Sequence, residues 1–158
     1  VFTEVGELWN TFKFPHFNTL YQKGTNHSGG IVMMIGKHLR ANRIETDIEN
    51  TLIADITGLS KPIRVIGIYW PHGQHRNLND LIPFITDGTI LTGDFNATHS
   101  DWGSPVTDSR GNRLRNWVES HSLWFIPSTK NSSKRSERHI DLLFSNLNDF
   151  RKETVQLG

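Results

Sequence analysis

The chain has no cysteine. That absence removes disulfides, thiolate zinc sites and cysteine nucleophiles together. It has no excess of charge either: 17 Lys and Arg stand against 16 Asp and Glu, a formal net of +1. No global basic field draws the molecule to nucleic acid, so any such binding must come from local clusters. No apolar run approaches membrane-spanning length, and the opening residues carry no signal-peptide pattern. An intracellular protein with no membrane partner is the expectation. Internal repeats and low-complexity tracts are also missing. What is there is an ordinary globular composition, 35% hydrophobic and 21% charged over 158 residues, enough for one domain with a real core.

The apolar patterning predicts many strands and few helices. Residues 1–5 read as a strand end with Glu4 at its polar edge, and residues 6–28 as a short helix around Leu8–Phe12 followed by a loop. Gly29-Gly30 release a strand at Ile31–Ile35, and further strands are expected at Arg40–Glu45 and Leu52–Thr57. Gly58-Leu59-Ser60-Lys61-Pro62 is a turn leading to a strand at Ile63–Trp70, with Val65, Gly67 and Tyr69 on one face and Ile66, Ile68 and Trp70 on the other. Leu78, Leu81, Ile82 and Ile85 have helical spacing over 77–86, as do Leu114, Trp117, Val118 and His121 over 111–121. Strands follow at 89–92, Ser122–Pro127, Arg138–Ser145 and Glu153–Leu157, with a polar, basic loop at Ser128–Glu137. Strands joined by hairpin-like turns, with a few helices inserted, favour an α+β sandwich over a doubly wound parallel sheet. The chain opens on Val1 and stops at Gly158 inside apolar runs, and so reads as a fragment of something longer.

Chemistry concentrates in one stretch, Ile90 to Gly103, where a short apolar run breaks at Gly93 and leads into Asp94-Phe95-Asn96. Side chains two apart on an extended chain point the same way. Asp94 and Asn96 are therefore expected to converge on one object while Phe95 turns into the core. Glu4 and Asp141 are two further acids at strand ends or inside apolar runs, and a buried acid is costly unless paired or metal-bound. Capping a turn or pairing with an arginine is the plain reading of each alone. Taken together, an all-oxygen inventory suits Mg²⁺ or Mn²⁺ and argues against zinc. His72 and His75 lack a third ligand and read as solvated loop histidines. His139 shares a strand face with Asp141 and is a candidate for proton transfer or phosphate contact. The Asn-x-Ser/Thr matches at Asn26, Asn96 and Asn131 carry little weight. Seven cations lie between residues 110 and 138, namely Arg110, Arg113, Arg115, Lys130, Lys134, Arg135 and Arg138, and form a candidate phosphate track.

Gly93-Asp94-Phe95-Asn96-Ala97, with Trp102-Gly103-Ser104 behind it, resembles the signature of the endonuclease/exonuclease/phosphatase superfamily. The nearest likeness is to the apurinic-type endonuclease domain of non-LTR (LINE-like) retrotransposons. It continues in order along the chain: Thr3-Glu4, Gly29-Gly30-Ile31-Val32, Ile66-Gly67-Ile68-Tyr69-Trp70-Pro71, Arg110-Gly111-Asn112-Arg113-Leu114, and His139-Ile140-Asp141-Leu142-Leu143-Phe144-Ser145. The resemblance implies a four-layer α/β-sandwich, two packed and mostly antiparallel sheets flanked by helices, spanning residues 1–158 as one domain. It implies that Glu4 ligates Mg²⁺, that Asp94 orients or deprotonates the attacking water, and that Asn96 holds that water or the phosphate. Tyr69 is implied to contact a phosphate oxygen or assist the leaving group, and Asp141 to orient a histidine. Arg110, Arg113, Lys134, Arg135, Arg138 and His139 are the expected substrate contacts.

The chain also departs from the family pattern. The family's first strand bears an Asn and would precede Val1, and its closing Ser-Asp-His motif would follow the last strand here. The domain is therefore expected to lack its first and last strands, which leaves neighbouring strand edges unpaired and activity open. The implied function is Mg²⁺-dependent nicking of DNA to prime reverse transcription, in the nucleus, with a reverse transcriptase in the same longer polypeptide. The alternatives are a remnant that binds nucleic acid or protein, and a superfamily phosphatase acting on another phosphoester. Trp102-Gly103 and the basic loop lean towards DNA.

Overall fold

Runs in which β-branched and aromatic residues alternate with polar ones build nearly the whole molecule. The computed structural model describes residues 1–4, 15–25, 29–127 and 141–147. Its strands are β1 (Phe2–Thr3), β2 (Phe17–Lys23), β3 (Gly30–Gly36), β4 (Arg40–Ile44), β5 (Thr51–Thr57), β6 (Ile63–Tyr69), β7 (Thr89–Asp94), β8 (Trp124–Phe125) and β9 (Asp141–Ser145). They form a three-stranded sheet, ordered β1-β3-β2, and a six-stranded sheet, ordered β4-β5-β6-β7-β9-β8. Every pairing among the described residues is antiparallel except β6 with β7. The expected α+β sandwich is what forms.

Strand alternation divides the core in two. Ile31, Met33 and Ile35 of β3 face Leu52, Ala54 and Ile56 of β5 and Val65 and Tyr69 of β6, filling the space between the sheets. The opposite face of the larger sheet presents Ile53, Ile66, Ile68, Leu91, Leu142 and Phe144. These pack against Leu114, Trp117 and Val118 of helix α1 (Ser109–Ser120) and against Leu78 and Leu81. Phe144 is fully buried at the middle of this second layer, 5.8 Å from the Phe95 ring and 5.4 Å from Trp102, both edge-on. The sheets are also tied by polar contacts. The Thr51 N–H donates to Gln22 Oε1 at 2.7 Å, and Arg43 donates to the Tyr21 carbonyl at 2.9 Å.

Three expectations need correction. Residues 17–23 are not loop but the edge strand β2, registered against β3 from Phe17↔Gly36 to Lys23↔Gly30. Its residues are exposed or half-buried, so the period-2 apolar signal is faint. The amphipathic segment over 77–86 is a 3-10 helix, Leu78–Phe84, not an α-helix. Pro83 inside it withholds the N–H an α-helical bond would need. The strand expected over Ser122–Pro127 shrinks to Trp124–Phe125. The helix expected around Leu8–Phe12, the basic loop at 128–137 and the strand at Glu153–Leu157 lie outside the described residues.

Candidate active site at one edge of the larger sheet

The parallel pair places Tyr69 beside Asp94, and the next, antiparallel pair places Asp94 beside Asp141. Residues in register across a sheet point to the same face. The row Tyr69–Asp94–Asp141 thus lies on the side that Val65 shares, towards the smaller sheet. From that sheet β1 lies against β7 and delivers Glu4, where the chain leaves the strand with φ 57°. The Glu4 carboxylate lies close enough to Tyr69 and Asp94 for its charge to act on both. In sequence these four residues lie as much as 137 positions apart, from Glu4 to Asp141, and the fold gathers them.

Asp94 is only 3% exposed. Burial pushes its carboxyl up to about 6; the Asn96 N–H bonded to it at 3.0 Å opposes this, and the charges of Asp141 and Glu4 add to it. Tyr69 is raised above the ordinary phenol value by burial first, then by the charges of Glu4 and Asp94. Acids crowded together, with oxygen donors around them, fit a hard divalent cation that would offset their mutual repulsion. Among the described residues no three Asp, Glu or His converge into an all-protein cage.

Gly93 makes the row possible. Its φ is 141°, and a Cβ there would collide with the Ile68 carbonyl of β6. Only glycine lets β7 approach β6 so closely at the level of the acids. Beyond Asp94 the chain does not stay extended. Asn96 turns with φ 47°, and its side-chain Nδ2 donates to the Trp70 carbonyl at 3.0 Å. The expected convergence of Asp94 and Asn96 on one object is therefore corrected: the Asn96 amide ties the β7 loop to the end of β6. Phe95 does turn into the core, fully buried.

With this geometry in hand, comparison with known proteins is informative. A family model described as endonuclease-reverse transcriptase matches residues 63–157. The chain belongs to the endonuclease-reverse transcriptase family. The structure also superposes on the endonuclease domain of TRAS1, a telomere-specific non-LTR retrotransposon, with a TM-score of 0.68 at 16% identity over 86% of this chain and 67% of that one. A functionally unknown conserved protein from Enterococcus faecalis V583 aligns with a TM-score of 0.51 at 16% identity, over 82% of this chain and 64% of that one. At these identities the two structures attest to the fold alone. Comparison with curated protein sequences gives no match.

Within this family member, the remaining candidates divide. Arg110 was placed by the sequence among phosphate contacts, yet its guanidinium faces inward. It donates to the Trp70 carbonyl at 2.8 Å, to Phe95 at 3.1 Å and to Pro71 at 3.2 Å, and lies 4.1 Å from the Trp70 ring centroid. Arg115 pairs with Asp101 at 3.0 Å and Glu119 at 3.1 Å. Arg113 is exposed, on the same helix and 6.0 Å from the Trp70 ring. Lys130, Lys134, Arg135, Arg138 and His139 lie outside the described residues. His72 and His75 are exposed. The Nδ1 of His99 accepts from the Asp101 N–H at 2.9 Å, capping the turn Ser100–Trp102. Trp102, which leaned the sequence reading towards DNA, is 4% exposed and packs on Phe125 and Phe144.

Arg76 escaped the sequence reading altogether. It is 8% exposed and donates to Thr51 Oγ1 and the Glu49 carbonyl at 2.8 Å each, and to the Asn50 and Tyr69 carbonyls at 3.2 Å each. Burial, and then the charge of Arg110, lower its pKa to about 10, leaving it charged at neutral pH. The Tyr69 N–H in turn donates to the Asn50 carbonyl at 3.0 Å, so the main chain beneath Tyr69 is held on both sides. A lone arginine in a polar loop gives no signal of this in sequence.

Proposed function

We propose that this chain is a phosphodiesterase domain that nicks one strand of DNA with Mg²⁺ or Mn²⁺. The freed 3′-OH then primes a reverse transcriptase in the same longer polypeptide, which puts the work in the nucleus. The observation that carries the reading is the row Tyr69–Asp94–Asp141 at one sheet edge with Glu4 facing it. Family membership and the resemblance to retrotransposon endonucleases support the substrate class.

In this reading Glu4 is the residue that would hold the divalent ion, with Asp94 beside it. Such an ion supplies charge neutralisation on the phosphate and on the departing 3′ oxygen. Asp94, with a pKa near 6, is ionised at neutral pH and accepts a proton from the attacking water or orients it. Tyr69, its pKa raised, keeps its proton and donates a hydrogen bond to a phosphate oxygen or the leaving group. Asp141, at the exposed end of the row, is the residue that would orient a histidine. Asn96 fixes the loop, and Arg113 offers charge to the DNA backbone.

The test is conversion of supercoiled plasmid to open circles by the full-length protein. Nicking should require Mg²⁺, stop with EDTA and vanish in Asp94→Ala. Abundant nicking that survives both treatments sinks the metal-hydrolase reading. Duplex binding without cleavage in any divalent metal makes the chain a binding module instead.

A further inference from the structure

We propose that Arg110 and Gly111 are positioning residues that clamp the Asp94–Thr98 loop to the end of β6, and that Arg110 makes no substrate contact. The inference rests on the nuclease reading and adds the device that holds its reactive row in register.

Three of the five N–H donors of the Arg110 guanidinium are spent on the main chain, at Trp70, Pro71 and Phe95. Two of those carbonyls close β6 and the third follows Asp94. One side chain therefore spans both strand ends that supply the site. The Trp70 carbonyl also accepts from Asn96 Nδ2 at 3.0 Å, and the Trp70 N–H donates to the Asp94 carbonyl at 2.7 Å. The face of the guanidinium is covered by the Trp70 ring. Little of the group is left for a phosphate.

Gly111 acts on the far end of the same loop. Its N–H donates to Asp108 Oδ1 at 2.6 Å, and that oxygen also accepts from the Thr98 N–H at 3.2 Å. The Asp108 N–H donates to the Thr98 carbonyl at 3.1 Å. A Cβ on Gly111 would collide with that same carbonyl, so the first turn of α1 rests on the loop backbone at a distance only glycine permits. Arg110 and Gly111 are adjacent for this reason: one reaches under the loop to β6 while the other seats the helix on it. Arg76 holds the preceding carbonyl, Tyr69, so three successive carbonyls at the site end of β6 are fixed by two guanidinium groups.

The experiment compares Arg110→Gln and Gly111→Ala with wild type by nicking kinetics and by the salt dependence of duplex binding. Both variants should lose about tenfold or more in kcat, because small misplacements of reacting groups cost that much. KM for DNA and the slope of log K against log[salt] should stay as in wild type. Gly111→Ala removes no charge, so its sharing the defect of Arg110→Gln is the mark of positioning. A phosphate contact would instead raise KM and make the slope shallower by about one in Arg110→Gln alone, and that result overturns the proposal. A second measurement needs no variant. In the wild-type protein the Arg110 guanidinium protons should exchange slowly and keep their NMR shifts when duplex is added. Fast exchange, or a shift on DNA binding, overturns the clamp even if the variants fail to fold. Wild-type protein that never nicks refutes the nuclease reading, while the exchange measurement still decides the clamp.

Discussion

Replacing Asp94 by Asn should destroy activity and yet make the metal-free protein more stable. The carboxyl is buried beside Glu4 and Asp141, and its pKa rises from the ordinary 3.8 to about 6. At 1.36 kcal/mol per pH unit, holding that group ionised in the fold costs ~3 kcal/mol. Asparagine is neutral and keeps an oxygen for the Asn96 N–H, whose help to the charged form is already counted in that shift. The gain is ~3 kcal/mol at pH 8, or about 9 °C in Tm for a chain of this size. The sign follows from proton binding. Below pH 3.8 the side chain is protonated folded and unfolded, and wild type and variant melt alike. Between 3.8 and about 6 the folded state binds more protons than the unfolded state, so wild-type stability falls as pH rises. Above 6 the full penalty applies. The assay is thermal melting of wild type and Asp94→Asn in EDTA from pH 4 to 8, read as the difference between the two. Adding Mg²⁺ should then raise the wild-type Tm, by linkage to binding, and leave the variant nearly unchanged. A variant that melts at or below wild type at pH 8, or a difference constant with pH, refutes the idea that this acid is held against its solvation.

Three further outcomes follow from the same geometry. Mg²⁺ binding should weaken as pH falls through about 6, because Asp94 takes up a proton there, and calorimetry in buffers of differing ionisation enthalpy should register proton release on binding at pH 6. Gly93→Ala meets the Ile68 carbonyl and needs a φ of 141°, so a loss of ~3 kcal/mol or more, or failure to fold, is expected by circular dichroism. Asp108→Ala removes the cap that accepts from the Gly111 and Thr98 N–H groups, and should lower the unfolding free energy by ~1–2 kcal/mol, read as a lower urea midpoint at an unchanged m-value.

What the sequence revealed, and what it hid, has physical reasons. The strands at β3, β5 and β6 are legible because both their faces are buried or alternate cleanly, and Gly and Pro punctuate their ends. β2 was not legible because an edge strand buries too little for its pattern to show, and its partner β3 alone fixes its register. Tyr69, Asp94, Asp141 and Glu4 were visible as acids and a phenol at strand ends, and through the motifs that carry the family likeness. The turn at Asn96 was not, since a left-handed asparagine reads like any other residue of an extended run. The arginines misled most. A guanidinium is the same in sequence whether it meets a phosphate or three carbonyls of its own chain. Only the fold distinguishes Arg110 and Arg76, turned inward, from the exposed Arg113.

The parallel pairing of β6 and β7 explains why a site forms at this edge. In a hairpin, one strand ends where its neighbour begins, and the two share a single tight connection. Parallel strands instead end side by side, and each then needs its own outgoing loop. Here the end of β6 opens into the segment that carries Arg76, and the end of β7 opens into the segment that runs through Asn96 and His99 to α1. β9, antiparallel to β7, enters at the same edge, so its first residue, Asp141, meets the last residue of β7, Asp94. Three chain segments are thereby brought to one rim with their side chains in a single row. Two arginines and a glycine hold the backbone that the row depends on. A substitution at one of these clamps should therefore harm activity before it harms the fold, because the core beneath, around Phe144 and Leu91, does not depend on them.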